Sequence, residues 1–297
     1  MSKINPKIDL VFKKLFGTEQ NINLLKSLVN SILPNDEQVT RLELKNPYNP
    51  SDYLSGKISY LDIKATDENG KWYDIEIQVA PYDFFGFRLL FYWAKMYSSQ
   101  LKTKQTYEDL RKTIVISLIN FDYFIDSEGE ERYHRRIGLT DLDTGKIYEQ
   151  TDGLELIFVE LKKFKKELPE IHTTLERWIT FLNKAHEYSK DNLPNELATE
   201  EIKKAMEELE VMYFNETEQE HYESQQRRYL DEISLAKQKE REQEQEERKI
   251  QNAKNEGIAE GMEKGMERVA KQMKLRGKSI EEIIEFTGLT KDQIDKL

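Results

Sequence analysis

The chain of 297 residues contains no cysteine and only four histidines. Without thiols it can form neither disulfide bonds nor cysteine-ligated zinc sites, and a cysteine nucleophile is excluded. The histidines, at positions 134, 172, 186 and 221, show no His-x-x-x-His spacing. A metal centre built on sulfur or on paired histidines is therefore not expected.

Long apolar segments are also absent. No run reaches the roughly 18 apolar residues that a membrane-spanning helix needs, and the first residues, Met-Ser-Lys-Ile-Asn-Pro, lack the apolar core of a secretion signal. We therefore expect a cytoplasmic protein without a membrane partner.

Charge is abundant and unevenly distributed. Charged residues make up 34% of the chain, and the mean hydropathy is -0.76. Residues 1–190 hold 27 basic and 29 acidic side chains, which leaves 18 basic and 27 acidic ones for residues 191–297 within the total of 45 and 56. The first part is nearly neutral, so the net charge of -11 does not argue against its binding a polyanion.

Hydrophobic spacing predicts an α/β domain over residues 1–190. The period is helical at 5–17, 21–33 and 83–101, and it changes to the alternation of strands between residues 39 and 79. The continuous apolar run at 113–118 favours a central strand that is covered on both faces. Another strand is predicted at 154–161, followed by two helices at about 172–189 and 199–214.

The remaining residues are predicted to form a helical extension. Residues 191–256 read as a helical linker whose later part, 236–256, carries 6 basic and 6 acidic residues and is either a solvated helix or a disordered polyampholyte. In the last part, 257–297, glycines at 257, 261 and 265 make an isolated stable helix doubtful. Two capping signatures, Ser279-x-x-Glu282 and Thr290-x-x-Gln293, then predict a small helical hairpin.

Two neighbouring predicted strands each have a polar face whose side chains are candidates for a functional site. Apolar Leu61, Ile63 and Ala65 alternate with Asp62, Lys64 and Thr66, and the next strand alternates in the same way. Its polar residues are Trp72, Asp74, Glu76 and Gln78. Both polar faces must lie on the same side of the sheet, because a slip of one residue reverses every side chain of a strand.

That requirement determines the length of the loop between the two strands. A two-residue Asn69-Gly70 turn would set Asp62 opposite Ile77, whereas a three-residue loop with Gly70 in the left-handed conformation sets Asp62 opposite Glu76. Opposite residues on one face have Cβ atoms about 4.5 to 5.5 Å apart. Two carboxylates at that distance can share a divalent cation, although spacing alone also fits an ordinary polar face of a half-exposed strand.

Oxygen ligands suit Mg²⁺ or Mn²⁺, and such sites often use a substrate phosphate as a further ligand. Asp62, Glu76 and Gln78, with a backbone carbonyl and water, would form such a set. The chemistry that this arrangement predicts is metal-assisted hydrolysis of a phosphodiester.

Four segments together resemble a known family. They are the stretch Asn5-Pro-Lys-x-Asp9-x-x-Phe-Lys-x-Leu-Phe16-Gly, the block from Asp62 to Gln78, the helix from Arg88 to Tyr97, and the Glu-Gly-x-x-Glu-Gly tail. They are similar to the recombination-promoting nuclease (Rpn) family, which is described as PD-(D/E)XK transposase-like. The resemblance implies a PD-(D/E)XK restriction-endonuclease-like core, a mixed sheet flanked by helices, with a helical C-terminal extension.

The same resemblance implies a magnesium-dependent DNA endonuclease of mobile-element, recombination or host-defence context. Asp62, Glu76 and Gln78 would be its active-site trio, with glutamine in place of the usual lysine. Asp9 on the N-terminal helix is a further candidate metal ligand. Lys64, together with Arg88 and Tyr92 on the following helix, is a candidate for substrate binding.

Two further expectations concern assembly. The apolar residues of the C-terminal hairpin need a cover, and a second copy of the chain would supply it, so we expect a homodimer through the C-terminal helical region. The alternative function is a catalytically weak or inactive nuclease-fold protein that acts as a DNA-associated assembly module.

Overall fold

The computed structural model describes residues 4–48, 62–81, 83–125 and 132–297. Leu61, assigned above to the same strand as Asp62 and Ile63, lies outside these ranges. The chain divides into two compact units, Met1–Leu230 and Asp231–Leu297.

The first unit is built on a mixed sheet. Within the described ranges, six strands follow the order β1-β2-β3-β4-β6-β5. The β1–β2, β2–β3 and β5–β6 pairs are antiparallel, and β4 is parallel to both β3 and β6. The strands are β1 (Leu42–Leu44), β2 (Ile63–Asp67), β3 (Trp72–Gln78), β4 (Thr113–Ile119), β5 (His134–Gly138) and β6 (Leu154–Glu160).

Helices cover both faces of this sheet. Those of the first unit are α1 (Asp9–Phe16), α2 (Ile22–Ile32), α3 (Phe85–Ser99), α4 (Thr174–Lys184) and α5 (Glu200–Val211). One face packs against α1, α2, α4 and α5 in the larger core, and the other packs against α3 in the smaller one. The mixed, helix-flanked sheet expected from the sequence is confirmed.

The central strands account for this layering. Every residue of β4 and β6 is buried, because a strand covered on both faces needs apolar side chains on both. The central strand predicted at 113–118 is confirmed. The small core beneath α3 takes the alternate side chains of these two strands, among them Val115, Ile119 and Phe158.

Strand β5 was not predicted from the sequence. It is an edge strand that pairs only with β6 among the described strands, and its basic residues give it no apolar alternation. Arg136 of β5 forms an ion pair with the buried carboxylate of Glu155 on β6. This strand is held by a cross-strand charge pair. It therefore lacks the alternating apolar residues by which a strand is predicted from sequence.

Residues 191–230, which the sequence assigned to a linker, contribute to the core of the first unit. Leu197, Ile202, Met206 and Leu209 are buried in the larger core cluster. Thr199 caps α5 as expected, because its side chain accepts a hydrogen bond from the backbone N–H of Ile202.

The helix α6, Glu216–Leu275, leads into the second unit, which ends in α7 (Ile280–Thr287) and α8 (Lys291–Asp295). The three glycines lie inside α6, and the helix continues across them. Both predicted capping boxes are present, at Ser279 and Thr290. No helix in the described part of the chain is both long and apolar enough to cross a membrane.

The turn between β2 and β3 allows a stability test. Gly70 has φ +79°, a conformation that costs an L-residue about 1 to 2 kcal/mol. We expect Gly70→Ala to lower the free energy of unfolding by about that amount. Urea denaturation followed by tryptophan fluorescence would measure it, because all 3 tryptophans lie in the first unit.

Gly138→Ala is the matched control. Gly138 lies in β5 without a positive φ, and an added Cβ would come no closer than 3.5 Å, to the carbonyl of Leu154. This substitution should stabilise the unit by about 0.5 to 1 kcal/mol. Equal effects of the two substitutions would contradict the account of the loop.

Candidate active site

The register of the β2–β3 hairpin sets its acidic residues side by side. Ile63 pairs with Ile75 and Lys64 pairs with Asp74. The backbone N–H of Asp67 donates to the carbonyl of Lys71 at 3.1 Å, which closes a loop of residues 68–70. The predicted three-residue loop with a left-handed Gly70 is thus confirmed.

Asp62 directly precedes β2, and the same register continued by one residue sets it beside Glu76. The side-chain hydroxyl of Ser117 on β4 donates to Oε1 of Glu76 at 2.9 Å. Ser117 alternates with Val115 and Ile119, which pack beneath α3. The carboxyl group of Glu76 therefore lies on the sheet face that carries α3.

Both carboxyl groups are held in an environment that disfavours their ionised forms. Burial raises the pKa of Glu76 to about 8, with a further increase from the charge of Asp62 and an opposing effect from the Ser117 hydrogen bond. Burial also raises the pKa of Asp62, against the positive charges of Lys64, Lys13 and Arg88. Neighbouring like charges and desolvation act in the same direction here.

A third carboxyl group, Asp74, was not assigned a role from the sequence. It is buried, and burial together with the charge of Asp62 raises its pKa to about 7. Within the described residues its Oδ1 has no hydrogen-bond partner. The alternation that selects Glu76 and Gln78 also selects Asp74, so the signal was available in the sequence.

The backbone of Asp62 is held by two residues that the sequence did not indicate. The side-chain amide of Asn46 donates to the Asp62 carbonyl at 2.9 Å, and its oxygen accepts from the N–H of Lys64 at 2.7 Å. The ammonium group of Lys13 donates to the carbonyls of Asp62 and Asn46, each at 2.7 Å. These bonds fix the chain where the β1–β2 ladder ends.

Lys13 is buried on α1. Burial lowers its pKa to about 8, while the negative charges of Asp62 and Asp74 act in the opposite direction. It is thus a buried cation beside the carboxyl cluster.

The predicted substrate-binding residues surround these carboxyl groups. Lys64 lies opposite Asp74, and its charge lowers the pKa of Asp62 and of Asp74. Arg88 on α3 lowers the pKa of Asp62 and of Glu76. Its guanidinium carbon lies 5.5 Å from the ring centroid of Tyr92, so the predicted i, i+4 pair is in contact.

Two predicted residues are less closely connected to the cluster. Gln78 is the last residue of β3 and lies on the same face as Glu76, one step along the strand. Asp9 lies one helical turn before Lys13 on α1. In the part of the chain that the structure describes, no three acidic or histidine side chains form a metal-binding group, so a role for Asp9 as a ligand stays a prediction.

A divalent cation fits the chemistry of this site. Asp62 and Glu76 supply adjacent carboxylates, Gln78 supplies an amide oxygen, and Mg²⁺ prefers such oxygen ligands. Burial raises the pKa of Asp62 and of Glu76 despite the nearby positive charges, so the ionised forms of both carboxyl groups need further stabilisation. The unsatisfied Oδ1 of Asp74 is consistent with the same need.

A cavity of about 1230 Å³ lies elsewhere in the first unit and contains none of the predicted site residues. It is lined by residues of α2, β5 and the N-terminal ends of α4 and α5. The acidic hairpin face, and not this cavity, carries the predicted chemistry.

Comparison with known proteins supports the same conclusion about the fold. The family model of the PD-(D/E)XK nuclease family transposases matches residues 6–239, and the chain belongs to that family. The match includes Asp9, the whole β2–β3 hairpin and α3. No curated protein and no solved structure shows significant similarity to the chain.

The raised pKa of Glu76 predicts a pH-dependent stability difference. Because the folded state keeps this proton up to a pKa of about 8, against 4.5 ordinarily, the wild type loses stability relative to Glu76→Gln as pH rises between those values. We expect the variant to gain more than about 1 kcal/mol over the wild type between roughly pH 5 and 8. Urea denaturation in the presence of a chelator would measure it.

Glu43→Gln is the control for this measurement. Glu43 is an exposed carboxylate on β1 beside Lys45, and the hydrogen bond from Lys45 lowers its pKa. Its substitution should produce no such gain at high pH. If Glu76→Gln behaved like this control, the proposed charge state of the site would be wrong.

Proposed function

We propose that this member of the PD-(D/E)XK nuclease family transposases is a metal-dependent endonuclease that hydrolyses phosphodiester bonds of DNA. The observation that carries the proposal is the placement of Asp62 beside Glu76 on a polar sheet face, with the pKa of both carboxyl groups raised. Two half-buried acids side by side destabilise the fold unless a cation compensates them. Because a bound cation would remove this destabilisation, the arrangement supports a metal-dependent reaction.

Asp62 and Glu76 would hold Mg²⁺ or Mn²⁺, with the amide oxygen of Gln78 and, as predicted from the resemblance, Asp9. When bound, the ion lowers the pKa of a coordinated water and neutralises charge on the phosphate. Gln78 carries no charge, so it orients the attacking water only through hydrogen bonds.

The chain's own cations supply the positive charge that the glutamine lacks. Lys64 and Arg88 act on the carboxylates from the strand and from α3, and both are suited to contact a phosphate of the substrate. Tyr92, in contact with Arg88, orients its guanidinium. Lys13 and Asn46 position Asp62 through its backbone carbonyl.

The proposal includes the biological context in which the enzyme acts. The resemblance to the recombination-promoting nucleases and the family description as transposases support an action on DNA in the context of mobile elements, recombination or defence. DNA is the substrate that this context favours.

The first test is cleavage of supercoiled plasmid. We expect nicking with Mg²⁺ or Mn²⁺, loss of nicking with chelator, and a loss of about 100-fold or more for Asp62→Asn and Glu76→Gln, because each removes a charged ligand. Gel electrophoresis would follow the reaction, and circular dichroism would check that both variants fold.

Glu43→Gln again serves as the matched control, since this carboxylate of the neighbouring strand pairs with Lys45 and does not act on the pKa of Asp62, Asp74 or Glu76. Its cleavage rate should equal that of the wild type. Undiminished nicking by both site variants would contradict the proposal and show that the active site lies elsewhere. A folded wild type that binds DNA without cutting it would instead support the inactive assembly module.

We propose in addition that the chain forms a homodimer through its C-terminal helical region. The hairpin residues Ile283, Leu289 and Ile294 are covered by Ala270 and the neighbouring end of α6 within one chain, so they do not need a partner. The support comes instead from four exposed residues of α6 at spacings of four, four and three. They are Ile258, Met262, Met266 and Val269, which share one face of the helix.

A charged residue introduced into this apolar face of α6 should prevent dimerisation. We expect light scattering to give twice 35.3 kDa for the wild type and the mass of one chain for Met262→Glu, because an apolar helix seam does not accommodate a buried carboxylate. Glu263→Lys, on the polar side of the helix, is the control and should remain dimeric. A wild type with the mass of one chain would contradict the dimer.

A further inference from the structure

The helix α3 and the residue before it expose a group of aromatic rings on the side that faces away from the sheet. Phe84, which directly precedes the helix, is 77% exposed, Phe87 is 73% exposed and Phe91 is 65% exposed. Scattered apolar residues on a surface are ordinary, but three phenylalanines on adjacent turns form a contiguous apolar patch that usually marks a binding surface. We call these three residues the aromatic ridge.

The helical geometry places the ridge next to the cations. At 100° per residue, the buried side of α3 is formed by Phe85, Leu89 and Met96. Arg88 lies between this buried side and the ridge. A ligand that touches the ridge therefore also meets the guanidinium that acts on the active-site carboxylates.

The charge of the helix favours a polyanion. Residues 83–99, which include the ridge, contain two cations, Arg88 and Lys95, and one acidic residue, Asp83, in a chain whose net charge is -11. A protein partner could cover apolar rings, but a surface that combines exposed rings with the two cations of this helix matches a nucleic acid strand. Phosphates meet the cations and bases stack on the rings.

We propose that the aromatic ridge is a base-stacking platform that binds unpaired bases of the DNA substrate, so that the enzyme prefers single-stranded or locally unpaired DNA. This inference rests on the proposed nuclease function, because it gives the substrate class of the same site. In a duplex the faces of the bases are covered by their neighbours, and three exposed rings on one helix can stack only on bases that have left the stack.

The test is binding without cleavage. Fluorescence anisotropy in chelator would compare the full-length wild type with Phe87→Ala and Phe91→Ala, using a labelled single strand of about 20 nucleotides and the duplex of the same sequence. We expect the single strand to bind the wild type more tightly than the duplex does. Each variant should bind the single strand roughly 5- to 100-fold more weakly, while its duplex affinity should change less than about 2-fold.

Further variants separate ring stacking from apolar contact and from charge. Phe87→Leu keeps apolar area but loses the planar ring, so it should resemble Phe87→Ala, whereas Phe87→Trp should retain binding. Arg88→Gln should weaken both probes, since phosphates are present in both. Tyr107→Ala, an aromatic residue that is 84% exposed and lies outside α3, is the control and should leave both affinities unchanged.

The outcomes distinguish this inference from the proposed function. If the wild type nicks plasmid but the ridge variants bind the single strand normally, the proposed base-stacking role is wrong and the proposed nuclease function is supported. If single-strand binding depends on the rings but no nicking occurs, the platform stands and the proposed hydrolysis fails. A change of mass in light scattering without a change of DNA affinity would show that the ridge binds a second chain and would overturn the inference.

Discussion

The pairing of β2 with β3 is the constraint on which the rest of the candidate site depends. One extra loop residue, with Gly70 in the left-handed conformation, sets the polar side chains of both strands on one face of the sheet. In the other register, Asp62 would face an apolar residue and the carboxyl groups would be separated. The local turn therefore decides which side chains share the site.

Packing then turns these polar positions into a site with unusual electrostatics. Buried carboxyl groups next to one another lower stability, and the pKa values of Asp74 and Glu76, about 7 and about 8, express that cost. Most polar faces of half-exposed strands avoid it by mixing charges. Here the compensating cations Lys13 and Arg88 come from helices on the two opposite faces of the sheet, which holds the cluster together without neutralising it.

The helix α3 has two faces with separate purposes. Phe85 and Leu89 pack on the central strands and fix the helix across the sheet, the opposite side carries the exposed rings, and Arg88 lies between the two sides. The position of Arg88 near the carboxylates thus follows from the packing of the neighbouring side of the same helix. In the proposed nuclease, a rigid element that combines both properties would hold a substrate strand in a fixed relation to the acids.

The sequence by itself determined the elements whose signals are local. Alternation, helical spacing and capping boxes predict the strands of the hairpin, the buried strand β4, the aromatic helix and the C-terminal caps, and the choice of loop follows from the two polar faces. These features depend on residues a few positions apart, so the sequence contains the whole interaction.

Only the tertiary structure decided the features that join distant segments. Lys13 and Asn46 meet at Asp62, Ser117 reaches Glu76 across β4, and Asp74 becomes buried. None of these contacts has a periodic signature, because they join residues far apart along the chain. The shifted pKa values have the same origin, since burial and nearby charge are properties of the packed chain and not of the residue alone.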